Sequence, residues 1–232
     1  MDLQLRDKTV VVTGGTGALG RAVVERLLGE GARPVVTWRS EREVREFPAA
    51  SRVRLNRLDL ADEAAVVNFY RDLPDLWASV HLAGAFAAAP VTETSAPAFL
   101  GMLNTNATSC FLCCREAVRV IRSTGNGAGG RVVNVSARPA LAPAGGVIAY
   151  AASKAAVSSI TQCLAEEVKG EGILVNAVAP SLMDTPANRA AMPGADFSKW
   201  PKVEEVAETI AFLASPANAL TSGAVVPVYG RV

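Results

Sequence analysis

The sequence predicts an α/β protein: one doubly wound domain with a seven-stranded parallel sheet and helices on both faces. Three observations predict it. Short β-branched runs alternate with longer stretches of helical periodicity across all 232 residues. No composition break or low-complexity linker divides the chain, so residues 1–232 read as a single domain. The first helical stretch is amphipathic and joins two strand runs, as a crossover between parallel strands must.

The elements follow in order. Thr9 to Val12 is the first strand, and LGRAVVERLLGEG after it places Leu19, Val23, Leu27 and Leu28 on one helical face, pairs Arg21 with Glu25, and stops at glycines. Pro34 to Trp38, Val53 to Leu58 and Ser79 to Ala83 are the next strands. Arg131 to Val135 is the fifth; the glycine-rich GNGAGG that leads into it is a connector, since no helix N-terminus follows to hold an anion. A long helix runs from Tyr150 to about Val168, with Val157, Ile160, Leu164 and Val168 as its buried stripe. Leu174 to Ala179 is the sixth strand, and the uncharged stretch Thr209 to Gly230 reads as a helix, a turn and a buried strand, Ala224 to Val228.

Composition excludes several function classes. At 50% hydrophobic and 19% charged the chain is too apolar for disorder and too charged for a membrane protein, and Pro216, Asn218 and Pro227 interrupt its longest uncharged stretch. Lys and Arg number 23 against 22 Asp and Glu with no run of five like charges, so no nucleic-acid partner is expected. The N-terminus lacks the pattern of a signal peptide, and a cytoplasmic address is expected. Cys110, Cys113 and Cys114 fall in one apolar segment, CFLCC, and read with Cys163 as thiols of a reducing compartment. No metal is expected: four ligands are needed, and the one histidine, His81, is remote in sequence.

Two motifs carry chemistry. TGGTGALG, Thr13 to Gly20, follows a strand and opens a helix; that context makes it a dinucleotide site, with Gly14, Thr16, Gly17, Ala18, Leu19 and Gly20 bringing backbone amides up to a pyrophosphate. At the end of the second strand, Arg39 and Ser40 stand where a carboxylate would hold a ribose 2'-hydroxyl. An arginine there suits a 2'-phosphate, so NADP is expected over NAD. Asp59 either meets the adenine or caps the next helix. Downstream, YAASK sets Tyr150 and Lys154 four residues apart on one helix face, where an ammonium lowers the phenol pKa and lets it exchange a proton near neutral pH.

These residues resemble the short-chain dehydrogenase/reductase family over nearly the whole chain, which implies a Rossmann-type fold. TGGTGALG is similar to the family's TGxxxGxG with Ala18 for the middle glycine; LDL carries Asp59 and Leu60; HLAG, ending in Ala83 and Gly84, stands for NNAG. The resemblance implies Tyr150 as proton donor, Lys154 as its helper, Asn106 in NTNATSCF as support for a proton relay, and Pro180 and Thr185 in APSLMDT near a nicotinamide. The family's serine, thirteen residues before the tyrosine, falls on Ala137. Ser136 is one position out, which on a strand points a side chain to the other face.

Within the family the closest motif resemblance is to the dihydropteridine reductase-like branch: GGTGALG, Ala137 followed by a basic residue, and DTPANRAAMPGADFSKW, Asp184 to Trp200. Phe86 stands where that branch has a pocket tryptophan. Trp38 and Arg39 replace its NADH-selecting aspartate. Residues 184–202 are expected to form a substrate lid, with Met192 and Trp200 beside Phe86 and Ala137 in the pocket, or a satellite core. The expected activity is NAD(P)H-dependent reduction of a small carbonyl or conjugated C=N substrate. Dihydropteridine reduction proper, 3-oxoacyl thioester reduction and a non-catalytic NADP(H)-sensing module are the alternatives. Family resemblance also implies a homodimer or homotetramer.

Overall fold

The structure is a computed structural model that describes residues 2–125 and 127–232; Asn126, in the glycine-rich connector, lies outside them. In chain order the elements are β1 Thr9–Thr13, α1 Ala18–Gly29, β2 Arg33–Trp38, α2 Glu41–Arg45, β3 Arg54–Arg57, α3 Glu63–Arg71 and β4 Ala78–His81. Next come α4 Ala96–Leu103, which continues through a π-turn at Asn104–Thr108 into α5 Ser109–Thr124, then β5 Gly130–Val135 and α6 Ile148–Val168. Finally β6 Ile173–Pro180, α7 Pro186–Ala191, α8 Val203–Leu213 and β7 Val225–Val228 complete the domain.

All seven expected strands are present and pair in parallel in the order β3-β2-β1-β4-β5-β6-β7. β1 is buried at every residue, which its TVVVT sequence requires, because hiding one valine is worth about 1.5–3 kcal/mol. Alternation divides its side chains: Val10 and Val12 join the core under α1 and α8, while Val11 joins the core under α3, α5 and α6. Among the described residues no helix is long and apolar enough to cross a membrane.

Two expectations change. β7 is half-buried rather than buried, because it takes the edge position beside β6 alone. α6 starts at Ile148, so Tyr150 lies inside its first turn.

β1 is where the strand order reverses: its crossover leads to β2 on one side, while β4 and β5 extend on the other. The crevice this opens beyond the strand C-termini is where α/β sheets bind ligands. The opposite end is fastened by Arg131, whose buried guanidinium donates to the Ser215 and Asn218 carbonyls and lies 5.0 Å from the Trp77 ring.

Candidate active site

The crevice holds a cavity of about 280 Å³, and nine residues expected from the sequence line it: Gly14, Thr16, Gly17, Arg39, Ser40, Asp59, Leu60, Ala83 and Gly84. Gly14 has φ +65°, and a Cβ on it would meet the Ala83 backbone at 2.9 Å, so the turn packs directly on the segment that follows β4. Gly17 is the N-cap of α1 with no side chain to occupy the helix's free amides, and the first turn carries no acidic residue. That combination suits an anion. Ala18, Leu19 and Gly20 form this first turn; Leu19 and Gly20 are buried.

At the adenosine end Arg39 is exposed on the rim, and Asp59 Oδ1 accepts from the Ala61 amide. Capping of α3 falls to Asp62 instead, which separates Asp59 from that duty. Sequence reasoning missed Glu43: from α2 it reaches the cavity and accepts the Thr16 hydroxyl at 2.9 Å. The dinucleotide that the turn implies is matched by the donor set present: helix amides at Gly17 with no side-chain cap for a pyrophosphate, and an exposed arginine at the rim.

Tyr150 and Lys154 stand one turn apart on α6. The Phe86 ring meets Tyr150 edge-on, with centroids 4.9 Å apart. Burial pushes the Tyr150 phenol up to about 12, against the expected lowering by Lys154. The reason lies in Lys154 itself: it is buried, its Nζ donates to the Val135 carbonyl at 2.8 Å, and burial brings its own pKa down to about 8. A phenol held up in this way is protonated at neutral pH, the form a proton donor needs.

Asn106, in the π-turn, is buried and fully engaged. Its Oδ1 accepts from the Ala85 amide at 2.8 Å, and its Nδ2 donates to the Ala85 carbonyl at 3.0 Å and to Ser153 Oγ at 2.9 Å. It clamps the segment before Phe86 to the helix of Tyr150. Gly84 sits against this clamp, where a Cβ would lie 2.7 Å from Asn106 Oδ1 and 3.3 Å from Lys154 Nζ.

Ala137 is buried at the place counted for the serine, and Ser136 cannot substitute for it. The Ser136 hydroxyl turns toward α6, bonding to the Lys154 carbonyl at 3.0 Å and Ser158 Oγ at 2.8 Å. Pro180 ends β6. The Thr185 hydroxyl caps α7 by accepting from the Asn188 amide. In residues 184–202, Trp200 is buried and packs on Phe197, whereas Met192 is exposed.

The profile of the family described as short chain dehydrogenase matches residues 8–196. The chain belongs to that family. The uncharacterized oxidoreductase YgfF of Escherichia coli (strain K12) is 32% identical over 95% of this chain and 98% of its own. The L-xylulose reductase of Bos taurus is 29% identical over 99% and 98%. Among solved structures, ElxO with NADP bound superposes with a TM-score of 0.87 at 26% identity, covering 97% of this chain and 98% of that one. As a short-chain dehydrogenase, the protein is an NAD(P)-linked oxidoreductase acting on a small molecule.

Proposed function

We propose that this dehydrogenase is an NADPH-dependent reductase of flat, conjugated carbonyl or C=N compounds, in which Tyr150 is the one protein hydroxyl that meets the substrate. The observation that carries this reading is the spent Ser136 hydroxyl beside the methyl of Ala137. A simple ketone would lose its second hydrogen bond there. A conjugated ring needs less polar guidance, because Phe86 offers an exposed aromatic face next to Tyr150.

A dinucleotide bound in the cavity supplies a hydride. The remaining work belongs to the chain. Tyr150 holds the proton that the reduced substrate needs. Lys154 orients toward the tyrosine face of α6 and carries the charge that supports phenol chemistry, and Asn106 positions both Phe86 and α6. Arg39 on the rim favours a 2'-phosphate, consistent with the NADP bound to ElxO. Residues 184–202 lie after β6 as a lid over the substrate, with exposed Met192 as its contact and Trp200 as its buried anchor. Pro180 and Thr185 border the nicotinamide end.

The DTPANRAAMPGADFSKW segment and Ala137 support a pterin-like substrate, and the assembly is taken to be a homodimer or homotetramer in the cytoplasm. Turnover of a quinonoid dihydropterin beside a panel of simple ketones, each with NADPH and NADH, tests the reading. Pterin reduction with NADPH is expected. Turnover confined to simple ketones would overturn it.

A further inference from the structure

His81 is remote from the cysteines in sequence, and the fold removes that distance. His81 ends β4, and Cys110 and Cys114 lie one turn apart on the face of α5 packed against it. Cys114 Sγ is 3.6 Å from His81 Nδ1 and 4.0 Å from Cys110 Sγ, and the three atoms all lie within 4.8 Å of one another. All three residues are buried. Asn134 Oδ1 on β5 converges on the same point, 3.4 Å from Cys114 Sγ and 2.7 Å from His81 Nδ1.

We infer that His81, Cys110 and Cys114, with Asn134 Oδ1 nearest the fourth position, form a buried site for a thiophilic divalent cation of the zinc class, which would clamp α5 to β4 and β5. Bonds of about 2.0–2.3 Å in a tetrahedron put ligand atoms roughly 3.4–3.8 Å apart, close to the sulfur–nitrogen and sulfur–sulfur separations here. The Nδ1–Oδ1 hydrogen bond must open, and the thiol contacts of Cys114 with Asn134 Oδ1 and Cys110 Sγ give way as their protons leave.

Charge and support agree with the geometry. Two thiolates and a divalent ion sum to zero, so the cluster can be buried without a net charge. The other imidazole nitrogen is already held: Nε2 is 2.8 Å from Ser79 Oγ, which is 2.8 Å from the buried Tyr70 hydroxyl. Binding breaks the S–H bond of each thiol still protonated, forms two S–metal bonds and releases those protons to solvent. The imidazole proton moves from Nδ1 to Nε2, and the Nε2–H donates a hydrogen bond to Ser79 Oγ. No oxidant is involved.

A disulfide is the poorer match. Cβ atoms four residues apart on a helix are about 5–6 Å apart, and a disulfide needs about 3.5–4.5 Å.

The test uses the full chain carrying Cys163→Ser, which removes the exposed thiol, stripped with a chelator and kept reduced. Cadmium and zinc chlorides are titrated separately. One equivalent of cadmium is expected, with a thiolate-to-metal absorption band, a cadmium NMR shift in the range for two sulfur ligands, and an unfolding midpoint about 5–10 °C higher at a hundredfold excess over Kd. Cys110→Ser and Cys114→Ser should each abolish that band, and Cys113→Ser should keep it. If a ligand variant fails to fold, the cadmium NMR shift of the parent decides alone. Absence of a bound equivalent in the folded parent, a shift without sulfur ligands, or binding that survives Cys110→Ser would overturn the site.

Discussion

Phe86 and Tyr150 meet edge to face, ring centroids 4.9 Å apart and planes at 76°, with Phe86 itself 65% exposed. The contact sets an open aromatic wall against the phenol proposed as the proton donor. Phe86→Ala removes that wall and leaves the proton donor in place. The expected result is a 10- to 100-fold drop in kcat/KM, an estimate of roughly 1.4–2.7 kcal/mol, for a conjugated substrate and little change for a small ketone, read from steady-state kinetics on both.

Lys154 is held as an ammonium against the pull of burial. Its pKa in the folded protein, about 8, lies below the ordinary 10.5, so burial penalises the charged form. The penalty is fully present below pH 8, shrinks as pH rises from there, and vanishes above about 10.5. Lys154→Met should therefore lose most turnover yet stabilise the protein at pH 7. The gain is at most about 3 kcal/mol, offset by about 1 for the lost bond to the Val135 carbonyl. Urea unfolding at pH 7 and pH 10 checks this: the variant's advantage should shrink at the higher pH.

Arg39 and Glu43 both line the cavity, with opposite charges. Arg39→Ala should lower the NADPH to NADH ratio of kcat/KM by about 10- to 100-fold, the worth of one or two charge-assisted hydrogen bonds. Glu43→Gln should raise the same ratio by removing a carboxylate from the path of a 2'-phosphate. Both ratios come from cofactor titrations at fixed substrate.

Arg131 supports the end of the sheet away from the chemistry. Arg131→Met takes the guanidinium donors from the buried Asn218 carbonyl, while the Ser215 carbonyl keeps the Asn218 amide, at a cost of about 1–3 kcal/mol. Denaturant unfolding should show that loss, while kcat of the folded fraction stays unchanged.

Much of this was legible in the sequence because period and spacing are local. The seven strands, the glycine turn and the pairing of Tyr150 with Lys154 all follow from neighbours within a few residues, and the off-face direction of Ser136 follows from strand alternation. What was hidden depends on contacts between distant segments. Glu43 reads as one of several charges after Ser40 until α2 folds it over Thr16. The pKa of Tyr150 could not be read from Lys154 alone, since burial outweighs a neighbour that is itself desolvated. His81 gains its two cysteines only when α5 packs on β4. β7 looked like an interior strand by composition, and only the strand order places it at an edge.

The most direct test of the central claim is kcat for Tyr150→Phe and Ser136→Ala measured side by side with NADPH. With Tyr150 as the only hydroxyl at the substrate, Tyr150→Phe should lose about 10²- to 10⁴-fold while still binding NADPH, and Ser136→Ala should stay within about threefold of the parent. A Ser136→Ala loss as large as that of Tyr150→Phe, or near-normal turnover by Tyr150→Phe, would contradict it.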